Sequence, residues 1–379
     1  MIFPRVNLLS RKHAYAFHLC QLSSITSIIK FIIASLQSKS DFRFKFQVFS
    51  ELLQFNIIYR IFRLLLTSRC ALRVNKFNFS FKMDSIDDYF DTALDLVKSC
   101  GNLITEYVNG CKVFEKKSCD IDLVTEIDKK VEQTLIEGLA QKYPTHKFIG
   151  EETVAGGGKC ELTDAPTWII DPVDGTLNFI HGFPHCCISV GLAINKECVA
   201  GIIYNPILQQ LFTAKKGQGA FLNGRQIHVS KIKSLREALV AFECGTSRDE
   251  DKCKVVFENF QIVVKMGHGM RSLGSAALNM AMVAMGGADA NFEFGIHAWD
   301  IAAGDILVRE AGGVCLDPSG KPLDLLSRRV LCASTPELAK ELTGVLVHLK
   351  SIDSYYTWIR NTLINKINNN KISKICLLN

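Results

Sequence analysis

Apolar residues recur at Ile86, Phe90, Ala93, Leu94 and Val97, the spacing of one helix face, and Ser85 with Asp88 forms a capping box ahead of them. A helix is therefore expected to open near residue 85. Ile127, Val131, Leu135 and Leu139 repeat every fourth position, which predicts a second helix starting near Thr125 and ending before Pro144. Residues 146–149 and 167–170 are short β-prone runs. The first leads into Gly150-Glu151-Glu152-Thr153, and the second ends on Asp171. Between residues 187 and 229, short Val/Ile/Phe-rich runs are punctuated by Asn195-Lys196, Asn205-Pro206, Lys216-Gly217 and Asn223-Gly224, the pattern of an antiparallel meander. Residues 276–285 and 301–311 are apolar helical runs. Helices and strands thus recur throughout, predicting a mixed α/β or α+β protein.

Composition divides the chain into three pieces. No glycine lies in residues 1–82 or after Gly344, whereas a compact fold needs glycine at its turns. Half of the 24 phenylalanines fall in residues 1–82. The expected organisation is a basic, Phe-rich extension (1–82), one compact body (83–344) and a basic, Asn-rich tail (345–379).

Charge follows the same division. The net +6 of the 379 residues is made of +11 in residues 1–82 and +4 in 345–379, which leaves −9 on the body. A nucleic-acid partner inferred from the overall basic balance would rest on the two ends alone, so none is expected. The apolar stretches 25–36 and 52–66 are broken by Lys30 and by Arg60 and Arg63. Neither supplies the roughly 18–20 uncharged residues of a spanning helix, so membrane contact through residues 1–82 is the disfavoured reading. The acid-free opening resembles a transit segment, which would direct the protein to mitochondria. The favoured expectation is a functional start at Met83 and a cytoplasmic protein. None of the 14 cysteines forms a C-x-x-C pair, which disfavours a zinc cluster or a disulfide framework.

Three acidic sites then share a local context. Glu151-Glu152 and Asp171-Pro172-Val173-Asp174-Gly175-Thr176 each follow a predicted strand, and Asp300 opens a predicted helix after Trp299. Taken singly, these are a solvated loop pair, a turn and a helix cap. Thr125-x-x-Asp128 is by itself a capping box, and His181, His185 and His297 share no ligand spacing. Taken together, carboxylates at strand ends and helix starts can converge, and buried acids call for a hard, oxygen-seeking cation. Gly175-Thr176 at a helix start adds backbone N–H groups suited to phosphate. Metal-assisted phosphoryl chemistry is the expectation.

The runs Gly150-Glu151-Glu152-Thr153, Trp168-Ile169-Ile170-Asp171-Pro172-Val173-Asp174-Gly175-Thr176-Leu177-Asn178-Phe179 and Trp299-Asp300-Ile301-Ala302-Ala303-Gly304, the last followed by Glu310-Ala311-Gly312-Gly313, resemble the inositol monophosphatase family. The similarity spans residues 83 to about 344. It implies an α+β, layered αβαβα sugar-phosphatase fold, a homodimer, dependence on two to three Mg²⁺ ions per site and inhibition by lithium. It further implies that Glu151, Asp171 and the Val173 carbonyl hold a first ion, that Asp171, Asp174 and Asp300 hold a second, and that Glu151 reaches a third. Glu151 and Thr176 would position a metal-activated water, with Asp128 behind Thr176. The amides of Gly175 and Thr176 would bind phosphate, Gly274, Ser275 and Ala276 would lie on the substrate side, and Glu293 would accept hydrogen bonds from ring hydroxyls. Thr246 matches a small hydroxyl residue near the ring, and Lys117 a residue near the phosphate. Leu177 and Ala298 depart from the family pattern without removing a ligand. The implied reaction is hydrolysis of myo-inositol monophosphate by direct attack of water. Fructose bisphosphate or adenosine bisphosphate phosphatases are the alternative, and a non-catalytic scaffold is a further one. The −9 body and Glu293 weigh against substrates with a second phosphate.

Overall fold

The structure is a computed structural model that describes residues 85–108, 114–116 and 123–348. The expectations for residues 1–82, for Lys117 and for the tail beyond residue 348 lie outside the described residues. Chain order gives α1 (Ile86–Val108), β1 (Phe114–Lys116), β2 (Leu123–Thr125), α2 (Glu126–Lys142), β3 (Lys147–Gly150), α3 (Glu151–Ala155), β4 (Thr167–Asp174) and α4 (Thr176–His181). A meander follows: β5 (Cys187–Ile194), β6 (Glu197–Asn205), β7 (Gln210–Lys215), β8 (Gly219–Leu222) and β9 (Arg225–Ile227). The last part comprises β10 (Leu239–Phe242), α5 (Glu250–Met266), β11 (Gly269–Arg271), α6 (Ala276–Ala284), β12 (Ala290–Phe294), α7 (Ala298–Glu310), β13 (Val314–Leu316), β14 (Arg329–Ala333) and α8 (Pro336–Val345).

Strands β3 to β9 form one sheet in sequence order, with β3 and β4 parallel and every later pair antiparallel. Two of its hairpins turn as their sequences predict. Asn195-Lys196 and Asn223-Gly224 all take positive φ (54°, 64°, 50° and 77°), the backbone of tight turns that match strand twist. A second sheet has the order β11-β10-β12-β14-β13.

The apolar stripe of α1 and that of α2 (Ile127, Val131, Leu135, Leu139) cover one face of the first sheet, packing on Trp168, Ile170, Ile188 and Leu192. Its other face packs on α6 and α7 through Ile169, Ile203, Ala277, Met280, Ala302 and Ile306. The second sheet meets α6 on one side and buries Val240, Phe292 and Leu331 against α5 and α8. The result is an α+β fold in five layers, αβαβα. Helix α7 lies very close to the first sheet because the strands present no side chain there. A Cβ on Gly191 would come within 2.7 Å of Ala302 Cβ, and one on Gly201 within 2.8 Å of the Ala303 carbonyl. This contact sets the height at which the start of α7 meets the end of β4.

Helices α5 and α8 have no predicted counterpart, and three features differ from the pattern-based expectation. Strand β4 does not stop at Asp171 but continues to Asp174 through a bulge, where Pro172 has no N–H to give the ladder. Glu151-Glu152 lies in a short helix, α3, and not in a solvated loop. The second sheet has no counterpart among the predicted strands. Its strands are three to five residues long, and β12 is buried at every position, so no alternation marks it.

Candidate metal and phosphate site

The bulge at the end of β4 turns two carboxylates the same way. Asp171 Oδ1 accepts the Val173 N–H at 3.0 Å, fixing the bulge from within. Asp174 Oδ2 accepts from Ser275 Oγ at 2.5 Å, from the Ala277 N–H at 2.8 Å and weakly from Cys187 Sγ at 3.8 Å. Asp300 arrives from the first turn of α7, where its Oδ2 accepts the His297 N–H at 2.6 Å. It is therefore both a helix cap and a member of the cluster. One oxygen from each of Asp171, Asp174 and Asp300 lies within 4.8 Å of the others.

Glu151 approaches from the end of β3. Its position is set by Glu132, a buried residue of α2 whose carboxylate accepts the N–H groups of Glu152 and Thr153, both at 2.8 Å, and the Thr153 hydroxyl at 2.6 Å. Glu132 thereby caps α3 from outside. The electrostatics follow from crowding acids in a dry place. Burial first, then the charges of Glu151, Asp174 and Asp300, hold the Asp171 carboxyl well above the usual carboxylate range. Burial, Asp174 and Glu151 do the same to Asp300. Burial pushes Asp174 up to about 6, against the pull of its bonds to Ser275, Ala277 and Ala276.

Asp128 and Thr176 form the wall beside this cluster. Asp128 is fully buried and accepts the Thr125 N–H at 3.0 Å and the Thr125 hydroxyl, so the capping box is real. Its other oxygen lies 3.1 Å from Thr176 Oγ1, which is also 2.9 Å from the Val173 carbonyl. The single proton of Thr176 thus has two acceptors. Gly175 joins β4 to α4 at φ 85°, and a Cβ there would come within 2.9 Å of the His185 carbonyl and 3.0 Å of the Gly274 carbonyl. Asn178 ties the same loops together, its Nδ2 donating to the carbonyls of His185 and Leu273 at 2.8 and 2.7 Å.

The segment 272–276 is gathered by Glu243 at the end of β10. The Glu243 carboxylate accepts the N–H groups of Leu273 and Gly274 at 2.6 and 2.8 Å, the Ser272 hydroxyl at 2.8 Å and the Asn279 amide at 2.8 Å. Glu293, at 4% exposure on β12, feels the charges of Glu243, Asp300 and Asp174, and its Oε2 has no hydrogen-bond partner among the described residues.

The structure therefore brings together Asp128, Glu151, Asp171, Val173, Asp174, Gly175, Thr176, Gly274, Ser275, Ala276, Glu293 and Asp300. Thr246 lies exposed in the loop after β10. His297 stacks on Trp299 at the start of α7, and its Nε2 lies 2.9 Å from Arg328 Nη2. Sequence reasoning misses Glu132 and Glu243. The first has a readable signal, since it interrupts the apolar stripe of α2 beside Val131. The second has none.

A model of the inositol monophosphatase family matches residues 86–351. The chain belongs to the inositol monophosphatase family. It is 45% identical over 260 residues to inositol monophosphatase 1 of Homo sapiens, an alignment covering 68% of this chain and 94% of that protein. Among solved structures it is similar to the IMPase of Thermotoga maritima (TM-score 0.61, 34% identity, 68% of this chain and 96% of that one). It is also similar to SaIMPase-II bound to inositol monophosphate (TM-score 0.56, 25% identity, 68% and 94%). Membership of this family makes the chain an enzyme, a phosphoric monoester hydrolase.

Proposed function

We propose that the protein hydrolyses myo-inositol monophosphate to myo-inositol and phosphate in a Mg²⁺-dependent reaction. The observation that carries this reading is the cluster of Asp171, Asp174 and Asp300 beside the Gly175 turn. The donor set fits a hard divalent cation: the groups acting most strongly on Asp171, apart from burial, are other acids, and all offer oxygen. Glu151, Asp171, the Val173 carbonyl, Asp174 and Asp300 would hold two to three such ions. When bound, Mg²⁺ acidifies water and neutralises charge on a phosphoryl group.

The chain's own residues supply position and proton handling. Asp128 and the Val173 carbonyl compete for the Thr176 proton, so Thr176 Oγ1 keeps a lone pair to accept a hydrogen bond from water. Glu151, at the end of β3, would accept the water's other proton. The N–H groups of Gly175 and Thr176 begin a helix turn, lack intrahelical acceptors and favour a phosphate. As the water oxygen bonds to phosphorus, the ester bond to the inositol oxygen breaks, and that oxygen takes up a proton. Gly274, Ser275 and Ala276 hold the substrate side, with Ser275 and the Ala276 and Ala277 amides steadying Asp174. Glu293 accepts ring hydroxyls. Thr246 and Lys117 are assigned to the ring and phosphate sides from sequence alone. Residues 83–344 form the catalytic domain in this reading, acting as a lithium-sensitive, cytoplasmic homodimer. No helix of the described residues is long and apolar enough to cross a membrane.

No phospho-enzyme is expected. The thiol nearest the cluster, Cys187, is pushed well above its usual pKa by burial and by the neighbouring acids, which keeps it a protonated, poor nucleophile. The test is phosphate release from inositol 1-phosphate, fructose 1,6-bisphosphate and adenosine 3′,5′-bisphosphate, each with and without lithium. Lithium-sensitive turnover of inositol 1-phosphate supports the reading. Preference for a bisphosphate moves the substrate, and radiolabelled phosphate trapped on protein refutes direct attack by water.

A further inference from the structure

Lys252 is a lysine where a lysine is costly. It sits in the first turn of α5, where the helix dipole disfavours a cation, and its own N–H donates to the Asp249 cap at 2.9 Å. It is only 7% exposed. Lysine is almost never this buried without a partner, yet its ammonium makes no ion pair or hydrogen bond among the described residues.

Two loops make room for it. A Cβ on Gly245 would lie 2.5 Å from Lys252 Nζ, and a Cβ on Gly295 would lie 2.9 Å from it. Both glycines have positive φ (65° and 85°), and each follows a glutamate by two residues: Glu243 at the end of β10 and Glu293 on β12. The ammonium is thus threaded between two strand ends that border the candidate site. Glu293 and Lys252 each act on the other's charge. They do not meet as an ion pair, and Glu293 Oε2 has no partner among the described residues.

We propose that Lys252 determines specificity, gripping with Glu293 a single neutral hydroxyl of the substrate alcohol. This rests on the functional reading above. A group lying between a buried carboxylate and an ammonium must donate to the first and accept from the second. A hydroxyl does both at once. A second phosphate would satisfy Lys252 and be repelled by Glu293, and an amine would do the reverse. The pair therefore selects polyol monophosphates over bisphosphates and over esters of simple alcohols.

The test uses the full chain and Lys252→Met, which keeps most of the unbranched apolar stem and removes the charge. The measured quantity is the ratio of kcat/KM for inositol 1-phosphate to kcat/KM for methyl phosphate, which has no further hydroxyl. Loss of a charge-assisted hydroxyl contact should lower that ratio about tenfold or more. The Lys252→Met/Glu293→Gln double variant should lose less than the product of the single losses, because both ends hold one group. A ratio within about twofold of wild type overturns the proposal, whether both substrates suffer, as in a structural defect, or neither does. A larger loss for fructose 1,6-bisphosphate than for inositol 1-phosphate also overturns it, since Lys252 would then bind an anion. Wild-type protein that hydrolyses no monophosphate would overturn the functional reading, and this grip with it.

Discussion

Replacing Asp174 by asparagine should make the metal-free protein more stable. Asp174 is 7% exposed, and burial pushes its carboxyl from the usual 3.8 up to about 6. Because the folded pKa is the higher one, the folded state binds more protons between the two values, and stability falls as pH rises from about 4 through 6. Above that window the buried charge costs about 3 kcal/mol. Asparagine keeps an oxygen for Ser275 and the Ala277 N–H but buries an amide NH₂ where a carboxylate oxygen stood, offsetting about 1 kcal/mol. The net gain is about 2 kcal/mol, or roughly 4–8 °C in Tm for a domain of this size. The assay is thermal unfolding of both proteins in chelator at pH 7.5, repeated at pH 4.5 and again with Mg²⁺. The gain should shrink at the lower pH, and Mg²⁺ should raise the Tm of wild type more than that of the variant. A variant less stable than wild type in chelator, or an equal Mg²⁺ response in both, refutes the reasoning.

Other substitutions probe separate parts of the site. Asp128→Asn removes a charged acceptor behind Thr176 and should lower kcat about a hundredfold, with KM and the Mg²⁺ requirement little changed in steady-state assays. Gly175→Ala forces a side chain into φ 85° and against the His185 carbonyl, which should cost about 1–3 kcal/mol in denaturant unfolding as well as activity. Glu293→Gln should lower kcat/KM for inositol 1-phosphate about tenfold while leaving the Mg²⁺ activation constant intact. A collapse of Mg²⁺ affinity would place Glu293 among the metal ligands.

How much of this was legible depends on how local each signal is. Helices α1 and α2 and the meander β5–β9 carry long periodic stripes and left-handed turn pairs, so their sequences declare them. The acids were readable for a different reason: Asp171, Asp174 and Asp300 sit in runs specific enough to be recognised, although each alone passes for a turn or a cap. Asp128 is the clearest case of overlap, because one carboxylate caps α2 and also holds Thr176. The second sheet stays hidden because strands of three to five residues are too short to show a period. Glu243 and Lys252 stay hidden because their roles are not local. Their importance lies in what the loops after β10 and β12 bring beside them, across some 50 residues of chain.

The central claim is that the carboxylate cluster holds the cation on which phosphomonoester hydrolysis depends. Its most direct test is phosphate release from inositol 1-phosphate by the full chain as Mg²⁺ is titrated from zero, beside Asp171→Asn. Release should be absent in chelator and saturable in Mg²⁺ for wild type, and abolished at every concentration for the variant. Metal-independent release by wild type, or near-normal turnover by Asp171→Asn, would contradict it.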